Sequence, residues 1–217
     1  MKLYKAKDPG SPLVILHTFE DEGARVLESI RSLTDRDFSL AVISDIDWNR
    51  DLSPWPAKAV FKGEPNFEGR ANEHLADLTV SVIPEILSRL PARPVSIYIA
   101  GYSLAGLFAL YSLYECDIFD GAASCSGSLW YPDFTSFAMT HKINAQRVYL
   151  SLGSKESRTK NPIMATVENN TGVIYRHLRD KGLATIFELN EGGHFTESVL
   201  RTARGIVWLI NKAGGKP

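Results

Sequence analysis

The sequence predicts an α/β fold, a mostly parallel central sheet with helices on both faces. Three observations carry this. Short apolar runs at 13–16, 38–43, 95–100, 121–125, 147–152 and 184–189 alternate with longer amphipathic segments. A strand followed by a helix and then another strand builds a parallel sheet, because the crossover helix returns the chain to the same edge. With 217 residues, 44% apolar and 23% charged, the chain can bury such a core without crosslinks, so 1–217 is read as one domain.

The elements follow in order. After the strand at 13–16, Ala24, Val26, Leu27 and Ile30 recur with helical spacing, and 38–43 is the next strand. Segment 45–71, rich in Trp, Pro, Asn and Gly, has no clear period and is read as a long loop, a common seat of function. Leu75, Leu78, Val82, Ile86 and Leu90 mark a helix over 72–90, which Pro84 is expected to kink or split. The strand at 95–100 runs into a helix from Ser103 to about Tyr114. Strands at 121–125, 147–152 and 184–189 and helices at 163–181 and 196–211 complete the alternation, and Gly214–Pro217 reads as a frayed tail.

Composition removes several function classes. A net charge of −1 without a basic run gives no footprint for nucleic acid or an anionic membrane surface. No stretch approaches the roughly 18 apolar residues of a spanning helix, and the N-terminus has no apolar core of a signal peptide. The two cysteines, Cys116 and Cys125, form no CxxC pair, so neither a disulfide framework nor a zinc site is expected. These features fit a cytoplasmic protein with reduced, apolar-packed thiols.

In open α/β sheets, sites form beyond the carboxyl ends of the strands. The strongest motif lies there: Gly101-Tyr102-Ser103-Leu104-Ala105-Gly106, between a β-run and an apolar helix. This is the setting of a nucleophile elbow, in which a sharp turn lifts the serine hydroxyl into the site. Close approach of strand and helix demands small residues two positions either side of the serine. Gly101 meets this; Ala105 stands where the usual motif has glycine, and Gly106 follows it. The helix start aims the Leu104 N–H at the reacting centre as an oxyanion donor. A serine that merely caps the helix is the competing reading.

Glu191-Gly192-Gly193-His194-Phe195 follows the last strand, where a base for Ser103 belongs. Of the other histidines, His74, His141 and His177 read as surface residues, while His17 ends a strand at the site edge and is expected to line it. The orienting carboxylate should follow the preceding strand, where Glu156 lies; Glu168 and Asp180 fall within or at the end of a helix. Glu156 is otherwise an ordinary surface acid. The order Ser103, Glu156, His194 is that of this type of site. The second oxyanion donor is assigned to the Phe19 N–H, with Thr18 behind it, in the loop Leu16-His17-Thr18-Phe19-Glu20.

These residues resemble the putative-esterase branch of the α/β hydrolases, including feruloyl-esterase-like, antigen-85-like and siderophore-esterase-like members. The likeness rests on LHTF at 16–19, GYSLAG at 101–106, SGSLW at 126–130, LGSKE at 152–156 and GGHF at 192–195. It implies an α/β-hydrolase fold with a minimal cap or none. It implies a Ser103-His194-Glu156 triad that cleaves carboxylic esters through an acyl-enzyme, with no metal and no cofactor. By this resemblance the short chain is expected to lack the N-terminal domain of enterochelin-type relatives, which argues against a bulky siderophore substrate. Tyr102, His17, Trp130, Asp51 and Trp55 are assigned to substrate binding; Trp48, Phe67 and Tyr131 belong to the same aromatic loops. The alternative for the tryptophans is cover for the core edge. Acyl transfer with the same triad, or ligand binding without turnover, are the rival functions, and the aromatic loops leave room for a homodimer.

Overall fold

The computed structural model describes residues 1–19 and 22–211; Glu20 of the expected oxyanion loop and the expected C-terminal tail lie outside them. In chain order the elements are β1 (Lys2–Tyr4), β2 (Leu13–His17), α1 (Glu22–Leu33), β3 (Ser39–Ile43), α2 (Trp48–Asp51), β4 (Pro56–Ala57) and β5 (Phe67–Glu68). There follow α3 (Ala71–Asp77), α4 (Ile83–Ser88), β6 (Ile97–Tyr102), α5 (Leu104–Glu115), β7 (Gly121–Cys125) and α6 (Phe134–Thr140). The last are β8 (Arg147–Gly153), α7 (Val167–Asp180), β9 (Ala184–Asn190) and α8 (Ser198–Asn211).

The central sheet has seven strands in the order β1-β3-β2-β6-β7-β8-β9. All neighbours are parallel except β1, which pairs antiparallel with β3 at the edge. Alternation along the strands divides the interior into two cores. Leu13 and Ile15 of β2 pack with α3, α4, α5 and α7 on one face. Val14 and Leu16 pack with α1 and α8 on the other. The central helix α5 is buried almost from end to end, as its nearly unbroken apolar sequence requires.

The elements differ from the sequence expectation in several places. The 72–90 helix is split: a π-helical turn at Leu78–Val82 separates α3 from α4, and the Ile83 N–H reaches back to the Leu78 carbonyl. Pro84 brings no N–H and its ring crowds the preceding turn, so the turn widens. Segment 45–71 is not simply a loop. Asp47 caps α2 by accepting the Arg50 N–H at 3.1 Å, and β4 and β5 form a two-residue hairpin ladder. The strand expected at 95–100 runs two residues later, up to Tyr102. No described helix is long and apolar enough to cross a membrane.

Candidate active site

Backbone strain marks the elbow first. Ser103, between β6 and α5, sits at φ 58° and ψ −121°, a region that costs a non-glycine residue about 1–3 kcal/mol. The Ser103 N–H donates to the Cys125 carbonyl at 3.1 Å, and its own carbonyl accepts the Ser128 N–H at 3.0 Å. These two bonds fasten the turn to the end of β7. A Cβ on Gly101 would lie 2.5 Å from the Ala105 carbonyl group, so this position has no room for a side chain. Gly106 instead faces Gly127, whose Cα would stand 3.0 Å from an added Cβ. The close strand–helix approach thus rests on Gly101 and Gly106, and Ala105 fits without harm.

Two loops bring the base and the acid to this turn. After β8 the chain turns so that the Glu156 N–H bonds the Gly153 carbonyl at 3.0 Å. The loop after β9 is laced to it: Ser154 N–H donates to Asn190 and Lys155 N–H to the Gly192 carbonyl, at 2.8 and 3.0 Å. Gly192 takes φ 98°, which a side chain would resist, and a Cβ at Gly153 would strike the Gly192 carbonyl at 2.5 Å. The glycines in LGSKE and GGHF therefore allow the loops to close on each other.

The result is a chain of hydrogen bonds. Glu156 Oε2 lies 2.7 Å from His194 Nδ1, and His194 Nε2 lies 3.0 Å from Ser103 Oγ. Glu156 Oε1 accepts from the Gly153 N–H at 2.6 Å and the Ser126 hydroxyl at 2.8 Å. Burial pushes the Glu156 carboxyl upward, but the hydrogen bond and charge of His194, with the donors Gly153 and Ser126, outweigh it. The carboxyl is therefore held below its usual range and is ionised at neutral pH. An ionised carboxylate only accepts, so His194 carries its proton on Nδ1 and turns the Nε2 lone pair to Ser103.

A cleft of about 330 Å³ opens over Ser103 and His194. Trp48, Phe61, Phe67, Trp130, Met164 and Phe195 contribute its apolar walls. Glu64 is the one charged side chain among the described lining residues, aside from His194. Leu104 lines it too, and its N–H is an open donor of the α5 N-terminus, with no partner among the described residues. Thr18 gives its N–H to the Ile43 carbonyl at 3.1 Å, which takes it out of consideration and leaves Phe19 as the oxyanion candidate of that loop. The Phe19 ring stacks on Trp48, with centroids 3.9 Å apart.

The structure brings Ser103, His194, Glu156, Leu104 and Trp130 together, and sends four expected substrate contacts elsewhere. Tyr102 lies behind the site, its hydroxyl donating to the His194 carbonyl at 2.5 Å. His17 is buried at 1% exposure, its Nε2 3.0 Å from His74 Nε2, because β2 points it into the core against Phe108. His74 is correspondingly half-buried rather than on the surface. Asp51 accepts the Asp47 N–H and pairs with Arg50 away from the cleft. Trp55 packs among Tyr111, Phe134 and Phe137 and donates its indole N–H to the Pro132 carbonyl, so it covers the core. Tyr131 is likewise core, at 1% exposure.

Sequence reasoning missed Ser128, whose Oγ stands 3.4 Å from Ser103 Oγ, and Arg201, buried in α8 against Glu156. Ser128 was visible as part of SGSLW; Arg201 gave one signal, a charge on the apolar stripe of α8. Among the described residues no group of three or more His, Cys, Asp or Glu is placed to hold a metal.

Comparison with known proteins agrees with this architecture. The uncharacterised protein YbbA of Bacillus subtilis (strain 168) is 30% identical over 137 residues, 61% of this chain and 55% of that one. The match thus spans little more than half the relative's length. An IroE-like serine hydrolase from Shewanella oneidensis superposes with a TM-score of 0.78 at 17% identity, covering 96% of this chain and 74% of that one. The siderophore hydrolase EstB from Aspergillus nidulans gives 0.75 at 18% identity, covering 97% and 86%. The enterobactin esterase FES from Shigella flexneri gives 0.71 at 17%, covering 96% and 54%. At these identities the likeness is one of fold, the α/β-hydrolase fold. A family model described as "Putative esterase" matches residues 21–197, most of the chain, and the protein belongs to that family.

Proposed function

We propose that the protein is a serine hydrolase that cleaves a small carboxylic ester through Ser103, His194 and Glu156. The observation that carries this is the continuous hydrogen-bond chain from Glu156 through His194 to Ser103, at 2.7 and 3.0 Å, ending in the cleft. His194 Nε2 takes the Ser103 proton as Oγ attacks the ester carbonyl. The Leu104 and Phe19 N–H groups hold the oxyanion. His194 then gives its proton to the departing alcohol. Water resolves the acyl-enzyme by the reverse sequence, with His194 again as base.

The walls support a neutral, apolar or aryl acyl group. The described lining holds no Lys or Arg to receive an anionic one, and its volume lies at the small end of ligand sites. Structural neighbours are named as siderophore and enterobactin hydrolases. One aromatic arm of such an ester suits this cleft better than a large intact molecule.

The test is hydrolysis of p-nitrophenyl butyrate by the purified chain beside its Ser103→Ala variant. Turnover lost in a folded Ser103→Ala protein supports the reading. Turnover near wild type in that variant sinks it.

A further inference from the structure

Arg201 is the largest fully buried side chain among the described residues, at 1% exposure. A guanidinium in an apolar helix stripe is costly unless its donors are used. Its Nη2 donates to the Glu191 carbonyl at 2.8 Å, and Nη1 faces the Gly193 carbonyl at 3.1 Å. Both carbonyls belong to the loop that carries His194. Nη1 also reaches Glu156 Oε1 at 3.3 Å, the Ser126 hydroxyl at 3.3 Å and the Tyr102 hydroxyl at 3.2 Å. Nε has no partner among the described residues.

The polarity of these bonds is consistent. The Ser126 hydroxyl gives its proton to Glu156, so it accepts from Arg201. The Tyr102 hydroxyl gives its proton to the His194 carbonyl, so it too accepts from Arg201. Arg201 therefore stands at the head of two relays. One ends on the acid, the other on the backbone of the base. Only a group that donates in several directions and accepts none can fill this place.

We propose that Arg201 is a positioning residue of the hydrolytic machinery, holding the Glu156 carboxylate and the His194 loop in register with Ser103. This rests on the function proposed above. Arg201 is not among the residues lining the cleft, so it acts through Glu156 and His194 and not on substrate. Among the described residues the titratable groups around it are Glu156 and His194 on the two loops, Tyr102 on β6, Cys125 on β7 and Glu188 on β9, the last paired with Arg204.

The experiment is steady-state hydrolysis of p-nitrophenyl butyrate over the neutral pH range by the full chain and its Arg201→Met, Arg201→Lys, Tyr102→Phe and Ser103→Ala variants. Folded Arg201→Met is expected to lose about 100-fold in kcat, the scale of a small misplacement of reacting groups, with KM little changed. Its acid limb should move to higher pH, because the cation that faces Glu156 behind the Glu156–His194 pair has gone. Arg201→Lys keeps the charge but not the fork, so the limb returns and kcat recovers in part. Wild-type kcat in folded Arg201→Met, or a loss with no limb movement and no recovery by lysine, overturns the proposal. If Arg201→Met does not fold, Arg201→Lys and Tyr102→Phe decide. Each should lower kcat several-fold at unchanged KM, and wild-type kcat in both overturns the proposal. A wild-type enzyme that needs Ser103 but ignores Arg201 defeats this inference alone. No wild-type turnover together with no fluorophosphonate adduct on Ser103 defeats it and the function reading together.

Discussion

Glu156 divides its carboxylate between two tasks: Oε2 meets His194 Nδ1 at 2.7 Å, while Oε1 is held by Gly153, Ser126 and Arg201. The side chain is 5% exposed, so the pairing is shielded from water. Three donors on one oxygen fix the direction of the other. The imidazole is then fixed in the tautomer that can accept the Ser103 proton.

Glu156→Gln tests that division. The amide fills the same space but can turn its NH₂ toward Nδ1, which would put the imidazole proton on Nε2. A kcat loss of about 10⁴-fold at nearly unchanged fold is expected, the cost of the wrong tautomer in such sites. A melting temperature near wild type with activity near wild type would show that Glu156 does not orient His194.

Acid sensitivity follows from His17 and His74. Burial, and then the neighbouring His74, hold His17 well below the ordinary value of 6.5, and burial lowers His74 although Asp51 and Asp77 oppose it. Both stay neutral in the fold while the unfolded chain takes up protons near 6.5. The unfolded state then binds more protons, so stability falls as pH drops below 6.5. Glu156, held low, has the same sign in a lower window: its stabilisation is lost as pH falls through its folded value, beneath the carboxylate range. Urea unfolding at a series of pH values should show both steps, and His17→Phe should flatten the upper one.

Elbow packing predicts a contrast between two neighbouring positions. Gly101→Ala would push a Cβ to 2.5 Å from backbone atoms of Ala105, with a cost of about 1–3 kcal/mol and loss of activity. Ala105→Gly removes only a methyl group inside a helix, with a cost of about 1 kcal/mol or less and activity retained. Thermal unfolding with an ester assay on both variants checks this, and equal behaviour would contradict it.

The cleft rim makes a further prediction. Phe61 is 56% exposed and lines the cleft, so its removal should spare the core. Phe61→Ala is expected to raise KM for p-nitrophenyl esters with longer acyl chains more than for the acetate, at unchanged melting temperature. A uniform effect along the series would place the acyl group elsewhere.

The parallel sheet was legible because each buried strand is a short apolar run bounded by polar turns, as at 13–16 and 121–125. Ser103 and His194 were legible because each follows a strand at the same sheet edge. Arg201 was not, because its partners come from β6, the loops after β7 and β8, and the His194 loop, which only the fold brings together. Trp55 was misplaced for a related reason. A tryptophan in an aromatic loop looks alike whether it faces a cleft or the core, and here Pro132 takes its N–H. The hairpin of β4 and β5 pairs two residues per strand, too few for a period-2 pattern.

The most direct measurement is fluorophosphonate labelling of the purified chain, with the adduct located by peptide mass. One adduct on Ser103 is expected, with its loss in His194→Ala, because only a serine deprotonated by His194 attacks phosphorus at a useful rate. Folded protein that takes no label, or takes it equally without His194, would contradict it.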